Sequence, residues 1–276
     1  MAFNINNFDT PQIMGILNVT PDSFSDGGRF SAIDHAVRGA EGMLNEGALI
    51  IDIGGESTRP GAPVVDLKTE LSRVIPVIKK LKAQFECVIS LDTSKAEVMA
   101  EGLEWGVDII NDVYALERPG SLNVVAQSDV PVCLMHMQGT PETMQNNPQY
   151  KQDIIHEITD FFEKKINQCA EAGIKKDRIW LDPGFGFGKT LDDNYQILHR
   201  LKEFESLGRP VLAGLSRKSM IGNLLNLPTS DRMLGSVVAA TLSLMNGAKV
   251  LRVHDVAETK QALTIYNAMV NGVGNE

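Results

Sequence analysis

Short apolar runs alternate with longer amphipathic stretches along nearly the whole chain, and this alternation constrains the fold more than any other feature. Eight of the runs are too short and too apolar to be half-exposed strands, so they predict buried parallel strands. The predicted strands cover residues 12–17, 49–53, 87–91, 108–111, 132–135, 179–181, 211–213 and 250–253.

Helical patterns separate these strands. They cover residues 34–46, 67–83, 121–127, 154–172, 194–204, 230–246 and 257–270. Ser94 and Glu97 have the spacing of a capping box that would open a further helix. Eight uninterrupted strand–helix units predict an α/β fold, a (β/α)8 TIM barrel, as a single domain over residues 1–276. The alternative is an open, doubly wound sheet, which often has GxGxxG after its first strand, where this chain has Asn18 to Pro21.

Composition and charge exclude several classes of function. The 276 residues are 43% hydrophobic, which suits one large domain with a sizeable core. The net charge is −9 and there is no long basic tract, which argues against nucleic-acid binding. No apolar run reaches the roughly 18 residues that a membrane span needs, so no membrane association is expected.

The cysteines and the first residues bear on the compartment. Cys87, Cys133 and Cys169 are odd in number, widely spaced and without a CxxC pair, which suits reduced thiols in a cytosolic protein. The first ten residues lack a basic start followed by an apolar segment, so no signal peptide is expected. Both features predict a cytoplasmic protein.

Polar side chains end most of the predicted strands. In a barrel these ends converge on one rim, so residues far apart in the chain form one pocket. Asp92, Asn111 and Asp182 offer acceptors and one amide, which suits a flat heterocycle with an aminopyrimidine-like N–H edge. Polar loops are common without any function, but buried carboxylates need partners, and several together favour a ligand.

A second set of side chains near the strand ends offers donors and positive charge, which suits phosphate or diphosphate. This set is Arg59, Lys218, Arg252 and His254. Asn18 could hold Mg²⁺ through its amide oxygen, because Mg²⁺ often takes few protein ligands and the rest from phosphate and water. The sequence has no HExxH motif and no Cys/His cluster, so a zinc site is not expected.

Three loops stand out. Gly188-Lys189-Thr190 resembles the end of a phosphate-binding GxxxxGK[ST] loop, but Pro183 occupies the position of its first glycine. We expect instead a tight glycine loop that presents Phe187 over the pocket. The loops at 22–28 and 55–61 combine glycines with hydroxyl, charged or aromatic side chains, which is typical of loops that close over a reactive intermediate.

Eight motifs run in order across nearly the whole chain. They are MGILNVTPDSFSDGG at 14–28, DIGGESTRPG at 52–61, LDTSK at 91–95, IND at 110–112, LMHMQGTP at 134–141, LDPGFGFGK at 181–189, GLSRKS at 214–219 and RVHDV at 252–256. Together they resemble the dihydropteroate synthase family, with no departure at a motif position. The resemblance implies a TIM-barrel transferase, usually a homodimer, that uses Mg²⁺ and is a sulfonamide target. It would condense 6-hydroxymethyl-7,8-dihydropterin diphosphate with p-aminobenzoate, giving 7,8-dihydropteroate and diphosphate for folate synthesis.

The same resemblance implies roles for individual residues. The pterin would be held by Asp92, Asn111, Met135, Asp182, Gly214 and Lys218, with Asp52 supporting the pocket. The diphosphate and Mg²⁺ would be held by Asn18, Arg252 and His254. The p-aminobenzoate site would be framed by Thr58, Arg59, Pro60, Phe187 and Ser219. Phe24 and Asp26 would lie in the loop that closes over the reaction, and the catalytic residues would be Asp26, Lys218 and Arg252.

The mechanistic hypothesis is an SN1-like loss of diphosphate. The pterin methylene would then carry cationic character, which Asp26 would stabilise, and the amine of the second substrate would attack it. One alternative is a pterin-dependent methyltransferase module, which would not need the STRP, SRK and RVH segments together. The other is a non-catalytic pterin-binding paralogue, which would be expected to lose Asp26, Lys218 or Arg252. All of these are present.

Overall fold

The computed structural model describes residues 8, 10–20, 29–59, 61–140, 143–144 and 148–273. Strands and helices alternate along this part of the chain. In order they are β1 (Gln12–Asn18), α1 (Arg29–Asn45), β2 (Ile50–Gly54), α2 (Leu67–Gln84), β3 (Val88–Asp92), α3 (Ala96–Glu104), β4 (Ile109–Asp112), α4 (Ser121–Ala126), β5 (Val132–Met135), α5 (Ile154–Glu171), β6 (Ile179–Asp182), α6 (Leu191–Arg200), β7 (Leu212–Ala213), α7 (Ser219–Leu225), α8 (Met233–Met245), β8 (Val250–Val253) and α9 (Val256–Asn271).

The eight strands form one parallel sheet that closes on itself. Their order is β6-β5-β4-β3-β2-β1-β8-β7, and a parallel bridge between Leu181 and Val211 joins the two outer strands. β1 pairs with both β2 and β8, so the chain's first and last strands are neighbours. The (β/α)8 barrel prediction is confirmed, and the open doubly wound sheet is excluded.

Side chains alternate between the inside of the barrel and the surrounding helices. An apolar cluster fills the interior; it consists of Met14, Ile50, Ile109, Cys133, Trp180, Leu212 and Val250. The ring of Phe8 packs edge-on against Trp180, with centroids 5.1 Å apart. Because strand side chains repeat with period two, the residue two positions further along each strand also faces the interior, one layer closer to the carboxyl ends.

The predicted strands differ from the observed ones mostly by one residue at the carboxyl end. The sequence pattern puts Asn18, Asp92, Asp112 and Asp182 just beyond their strands, but each is the last residue of one. The backbone of a polar residue pairs as well as that of an apolar one, so hydrophobicity ends the predicted strands too early. The polar side chains are therefore held by the sheet itself.

One helix prediction was wrong, and one helix was missed. Ser94 does not cap α3, because the N-cap is Lys95 and has no side-chain capping bond; the Ser94 hydroxyl instead hydrogen-bonds the buried Asp112 carboxylate. α7 was not predicted, since seven residues are too few to show a helical period. α6 opens with a reciprocal capping box of Thr190 and Asp193.

The helices bury one face against the outside of the barrel and form the larger core cluster. α2 shows the pattern: Val74, Val77, Ile78 and Leu81 are fully buried, and Asp66 caps the first turn by accepting from the Thr69 backbone N–H. Within the described residues, no helix combines the length and the apolar character that crossing a membrane would require.

Candidate active site

A layer of polar side chains lies next to the apolar cluster that fills the barrel, on the side of the carboxyl ends of the strands. Each of its members follows a residue of that apolar cluster by two positions in the chain, as Asn111 follows Ile109 and Asp182 follows Trp180. The polar members are Asp52, Asn111, Asp182 and Arg252, and Met135 and Gly214 lie at the same level. Asp92 ends the neighbouring β3, next to Asn111 in the β3–β4 register. The pterin residues predicted from the strand ends therefore meet at one end of the barrel.

Asp52 is the centre of this layer. Its carboxylate is fully buried and accepts from Ser90 Oγ at 2.6 Å. It also accepts from Asn111 Nδ2 at 3.2 Å and from Arg252 Nε at 2.6 Å. A buried carboxylate with three donors is compensated and held in one orientation. Asp52 therefore fixes Asn111 and Arg252 from behind, which agrees with the supporting role expected for it.

Arg252 joins Asp52 to the second acidic residue. Its Nη2 donates to Asp92 Oδ2 at 2.7 Å. Burial raises the pKa of Asp92 to about 7, against the lowering effect of Arg252 and with a further raising effect from Asp52. Its surroundings therefore hold the pKa of Asp92 well above the usual range of an aspartate carboxyl.

Asp182 and Lys218 form the opposite side of the layer. Asp182 Oδ1 accepts from the Gly184 backbone N–H at 2.7 Å, and burial raises the pKa of this carboxyl while the charge of Lys218 lowers it. Lys218 Nζ donates to the Phe185 carbonyl and lies 4.6 Å from the centroid of the Phe187 ring. Burial lowers the pKa of Lys218 to about 8, so this side chain is mostly cationic at pH 7.

Gly214 leaves room between the two sides. A Cβ at this position would lie 3.9 Å from Asp182 Oδ2 and 4.0 Å from Arg252 Cβ. A side chain larger than a methyl group would therefore crowd the Asp182 carboxylate and the start of the Arg252 side chain. Gly214 thus lies at the same level of the barrel as Asp182 and Arg252.

The sequence suggested that the basic residues form a separate cationic group. In the structure they do not. Arg252 lies between Asp52 and Asp92, and Lys218 is electrostatically coupled to Asp182. A buried guanidinium or ammonium needs nearby carboxylates, so opposite charges interleave in one site.

Burial and the nearby arginines favour the neutral form of the His254 ring. Burial lowers its pKa to about 4, and the charges of Arg252, Arg217 and Arg59 lower it further. Its Nδ1 lies 2.9 Å from Ser216 Oγ, and its backbone N–H donates to the same oxygen at 3.1 Å. His254 can contribute hydrogen bonds from a neutral ring, and its coupling to Arg59 shows that the loop after β2 reaches this side of the barrel.

Of the remaining predicted residues, those that the structure describes lie around the same end. Asn18 ends β1 beside Gly54; Thr58 and the exposed Arg59 lie in the loop after β2. Ser219 opens α7 and lines a cavity of about 240 Å³ with Lys189 and Asn194. Phe24, Asp26 and Pro60 lie outside the described residues. Asn18 offers one amide oxygen near the acidic layer, and such a sparse donor set fits Mg²⁺ held mainly by a diphosphate.

Sequence reasoning missed the group that holds the Phe187 loop. Lys189 Nζ lies 3.0 Å from His136 Nδ1 and donates to the Phe187 carbonyl at 3.0 Å, while Tyr150 donates to the Gly188 carbonyl at 2.8 Å. Lys189 is 3% exposed, and burial lowers its pKa to about 7. The lysine of the apparent phosphate-binding motif therefore points into the protein. Its position directly after the glycines was the sequence feature that could have identified it as the residue that holds this loop.

Comparison with known proteins agrees with this geometry. A family model described as pterin binding enzyme matches residues 14–254. The dihydropteroate synthase of Haemophilus influenzae is 51% identical over 265 residues, which cover 96% of both chains. The chain belongs to the dihydropteroate synthase family. It is a transferase, as the family is.

Solved structures of the dihydropteroate synthase family extend the likeness to three dimensions. The Yersinia pestis enzyme, solved as a sulfonamide drug complex, superposes with a TM-score of 0.92 at 50% identity and 96% coverage of each chain. The Xanthomonas albilineans enzyme, solved with 7,8-dihydropteroate, superposes with a TM-score of 0.87 at 46% identity and 95% coverage of each chain. The TIM barrel and the family membership are thus supported independently.

Proposed function

We propose that this chain condenses 6-hydroxymethyl-7,8-dihydropterin diphosphate with p-aminobenzoate, giving 7,8-dihydropteroate and diphosphate. The observation that carries the proposal is the buried polar layer, in which Asp92, Asp182 and Asn111 converge beside Arg252 and Lys218. A site that holds acceptors next to cations matches a heterocycle joined to a diphosphate.

The acceptors support recognition of the pterin. Among the described residues, Asp92 accepts a hydrogen bond from Arg252 through Oδ2, and Asp182 accepts one from Gly184 through Oδ1. The other oxygen of each carboxylate can accept from ring and amino N–H groups of a pterin. Asn111 Nδ2 is directed to Asp52, so its Oδ1 is the atom left for a ligand N–H.

The cations support recognition of the diphosphate and its departure. Arg252 has its Nε and Nη2 on carboxylates, so its Nη1 is the donor left for a leaving oxygen. Lys218 adds a second cation, which is half-buried, near the pterin side. Asn18 would hold Mg²⁺, which when bound offsets the charge of the diphosphate. The amine of p-aminobenzoate is itself the nucleophile, so the site needs none from the protein.

An SN1-like course is the finer part of the proposal. If the diphosphate leaves first, positive character on the pterin methylene lies within a layer of carboxylates that are already fixed. Preorganised charges of this kind stabilise a developing charge without reorganisation.

Phe187, held by Lys189 and contacting Lys218, would form a wall of the p-aminobenzoate site with Thr58, Arg59 and Ser219. Binding of sulfonamides at that site is part of the same proposal.

The experiment is a diphosphate-release assay. Purified protein is mixed with the pterin diphosphate, Mg²⁺ and p-aminobenzoate, and each component is omitted in turn. Mg²⁺-dependent release, with dihydropteroate formed only when the amine is present, is the expected result. Tight pterin binding without any release would overturn the proposal and favour a pterin-binding module that delivers its ligand to another protein.

A homodimer in the cytoplasm completes the proposal. On α8, Leu234, Val238 and Leu242 recur every four residues with 71%, 50% and 43% of their surface exposed, and on α9 Ile265 and Met269 are 72% and 62% exposed. The two helices pack against each other, so these side chains form one apolar face that a second copy would cover. The free thiols of Cys87, Cys133 and Cys169 suit a reducing compartment.

A further inference from the structure

The loop after β2 is held by charged side chains that the proposed reaction does not use. Glu56 lies in this loop shortly before Thr58 and Arg59. Its Oε1 accepts from the Val65 backbone N–H at 2.9 Å, and its Oε2 accepts from Lys95 Nζ at 2.5 Å. Lys95 is the N-cap residue of α3. One carboxylate therefore ties the loop both to its own return segment and to the neighbouring strand–helix unit.

Lys95 carries the same set of contacts into the interior. Its Nζ also donates to Glu70 Oε2 at 2.5 Å, and Thr93 Oγ1 donates to Glu70 Oε1 at 2.5 Å. The Glu70 side chain is only 1% exposed, so its carboxylate depends on these two donors. Thr93 directly follows Asp92. The contacts thus join the loop after β2 to the segment that follows β3.

Lys95 is cationic at neutral pH. Burial acts to lower its pKa, but the hydrogen bonds and charges of Glu56 and Glu70 outweigh burial and raise it. An ion pair on an exposed surface contributes little because water and salt screen it. Lys95 is 24% exposed and one of its two partners is buried, so its contacts are screened far less and can fix a geometry.

Close packing seats the start of this loop on α2. Arg73 Nη1 donates to the Gly55 carbonyl at 2.7 Å. A Cβ at Gly55 would lie 2.8 Å from Val74 Cγ1 and 3.0 Å from Glu70 Cγ, closer than a real side chain tolerates. The backbone at Gly55 is therefore fixed, and the contacts of Glu56 hold the part of the loop that follows.

We propose that Lys95, with Glu56 and Glu70, is a positioning residue that holds Thr58 and Arg59 where they receive p-aminobenzoate. This inference rests on the proposed function, since it names the substrate that the loop serves. Asp182 and Lys218 are held by separate contacts on the opposite side of the barrel. Loss of the Lys95 contacts therefore affects capture of the second substrate more than recognition of the first.

The variant Glu56→Gln tests this role most sharply, because it removes the loop's carboxylate and leaves the Lys95–Glu70 pair intact. We expect the KM for p-aminobenzoate to rise about ten-fold, as for loss of one charge-assisted hydrogen bond, while kcat changes less than about two-fold. The affinity for the pterin diphosphate, measured by calorimetry, should not change. Lys95→Met should raise the KM for p-aminobenzoate as well. Lys95→Arg should keep this KM close to that of the unsubstituted protein, because a guanidinium can reach both carboxylates.

Lys82 offers a matched control. It also lies next to a carboxylate, with Nζ 2.6 Å from Asp108 Oδ2 and 27% of its side chain exposed, but it is near the end of α2, away from the loop. Lys82→Met should leave both substrate KM values unchanged. If Lys82→Met and Lys95→Met raise the p-aminobenzoate KM equally, the effect is general destabilisation and the positioning role is wrong.

Two further outcomes separate this inference from the proposed function. If the wild-type protein condenses the substrates and Glu56→Gln keeps the wild-type KM, the positioning role is wrong and the function stands. If the wild-type protein releases no diphosphate, the function fails, and hydrogen exchange of the amides in residues 55–65 decides the positioning role. Faster exchange in Glu56→Gln than in Lys82→Met would support it, and equal exchange would overturn it.

Discussion

Arg252 Nε donates to Asp52 Oδ2 at 2.6 Å, and the carboxylate that it meets has no exposed surface. The same guanidinium reaches Asp92 with its Nη2. Arg252 therefore serves two purposes, since it compensates a buried charge that the barrel cannot hydrate and it sets the position of a carboxylate that faces the ligand. Removal of either partner should have different consequences from removal of both.

Arg252→Met should destabilise the fold by about 3–5 kcal/mol, because it leaves Asp52 as a buried charge without its cation. Asp52→Asn combined with Arg252→Met should recover most of that loss, since the buried charge is gone. Urea unfolding followed by circular dichroism measures both. Arg200→Met is the control: its partners Asp153 and Glu203 are 46% and 51% exposed, so it should cost less than about 1 kcal/mol. A double variant no more stable than Arg252→Met would contradict the account.

Asp92 should make pterin binding depend on pH. Its pKa is raised from 3.8 to about 7 in the folded protein, so the folded state binds more protons than the unfolded state between these values. The stability that this group contributes is therefore greatest below pH 4 and is lost as pH rises through 7. Ligand binding has the opposite trend, because only the ionised carboxylate accepts two N–H groups.

Calorimetry with a pterin from pH 5.5 to 7.5, below the pKa of about 8 of Lys218, should therefore show affinity that rises as Asp92 ionises, with a midpoint near 7. Asp92→Asn should bind more weakly and lose this midpoint. Asp112, whose pKa burial raises to about 6, titrates nearby, but it accepts from the backbone N–H groups of Tyr114 and Leu116. Asp112→Asn should thus keep the midpoint near 7. Affinity that does not change with pH in the unsubstituted protein would refute the role given to Asp92.

The barrel and its polar rim could be predicted because both depend on local patterns. A buried strand needs a continuous apolar run, and a polar residue at its end must either pair or meet a ligand, so the sequence brings Asp92, Asn111 and Asp182 together. The contacts across the barrel could not be predicted, since nothing local shows that Arg252 would lie between two acids. Partners such as Ser90 and Glu70 were missed for the same reason, as each is identified only by what it touches.

Gly184 should be intolerant of any side chain. Its φ is +70°, and a Cβ there would lie 2.0 Å from the His136 carbonyl oxygen. Its N–H also holds Asp182. Gly173 is the matched control, with a φ of +89° and open space where a methyl group would lie. Gly173→Ala should cost about 1–2 kcal/mol from backbone strain alone, and Gly184→Ala at least about 2 kcal/mol more, with weaker pterin binding. Equal unfolding free energies for the two variants would show that the loop can move away.

Val238 should decide whether the protein pairs with a second copy. It lies between Leu234 and Leu242 on the apolar face of α8 and is 50% exposed. Val238→Asp would therefore place a charge in an apolar interface that has no partner for it. We expect sedimentation velocity to show a dimer for the unsubstituted protein and a monomer for the variant at the same concentration. Val64→Asp is the control, because Val64 is 71% exposed in the loop before α2 and should leave the dimer intact. A dimer that survives Val238→Asp, or an unsubstituted protein that sediments as a monomer, would show that α8 is not the interface.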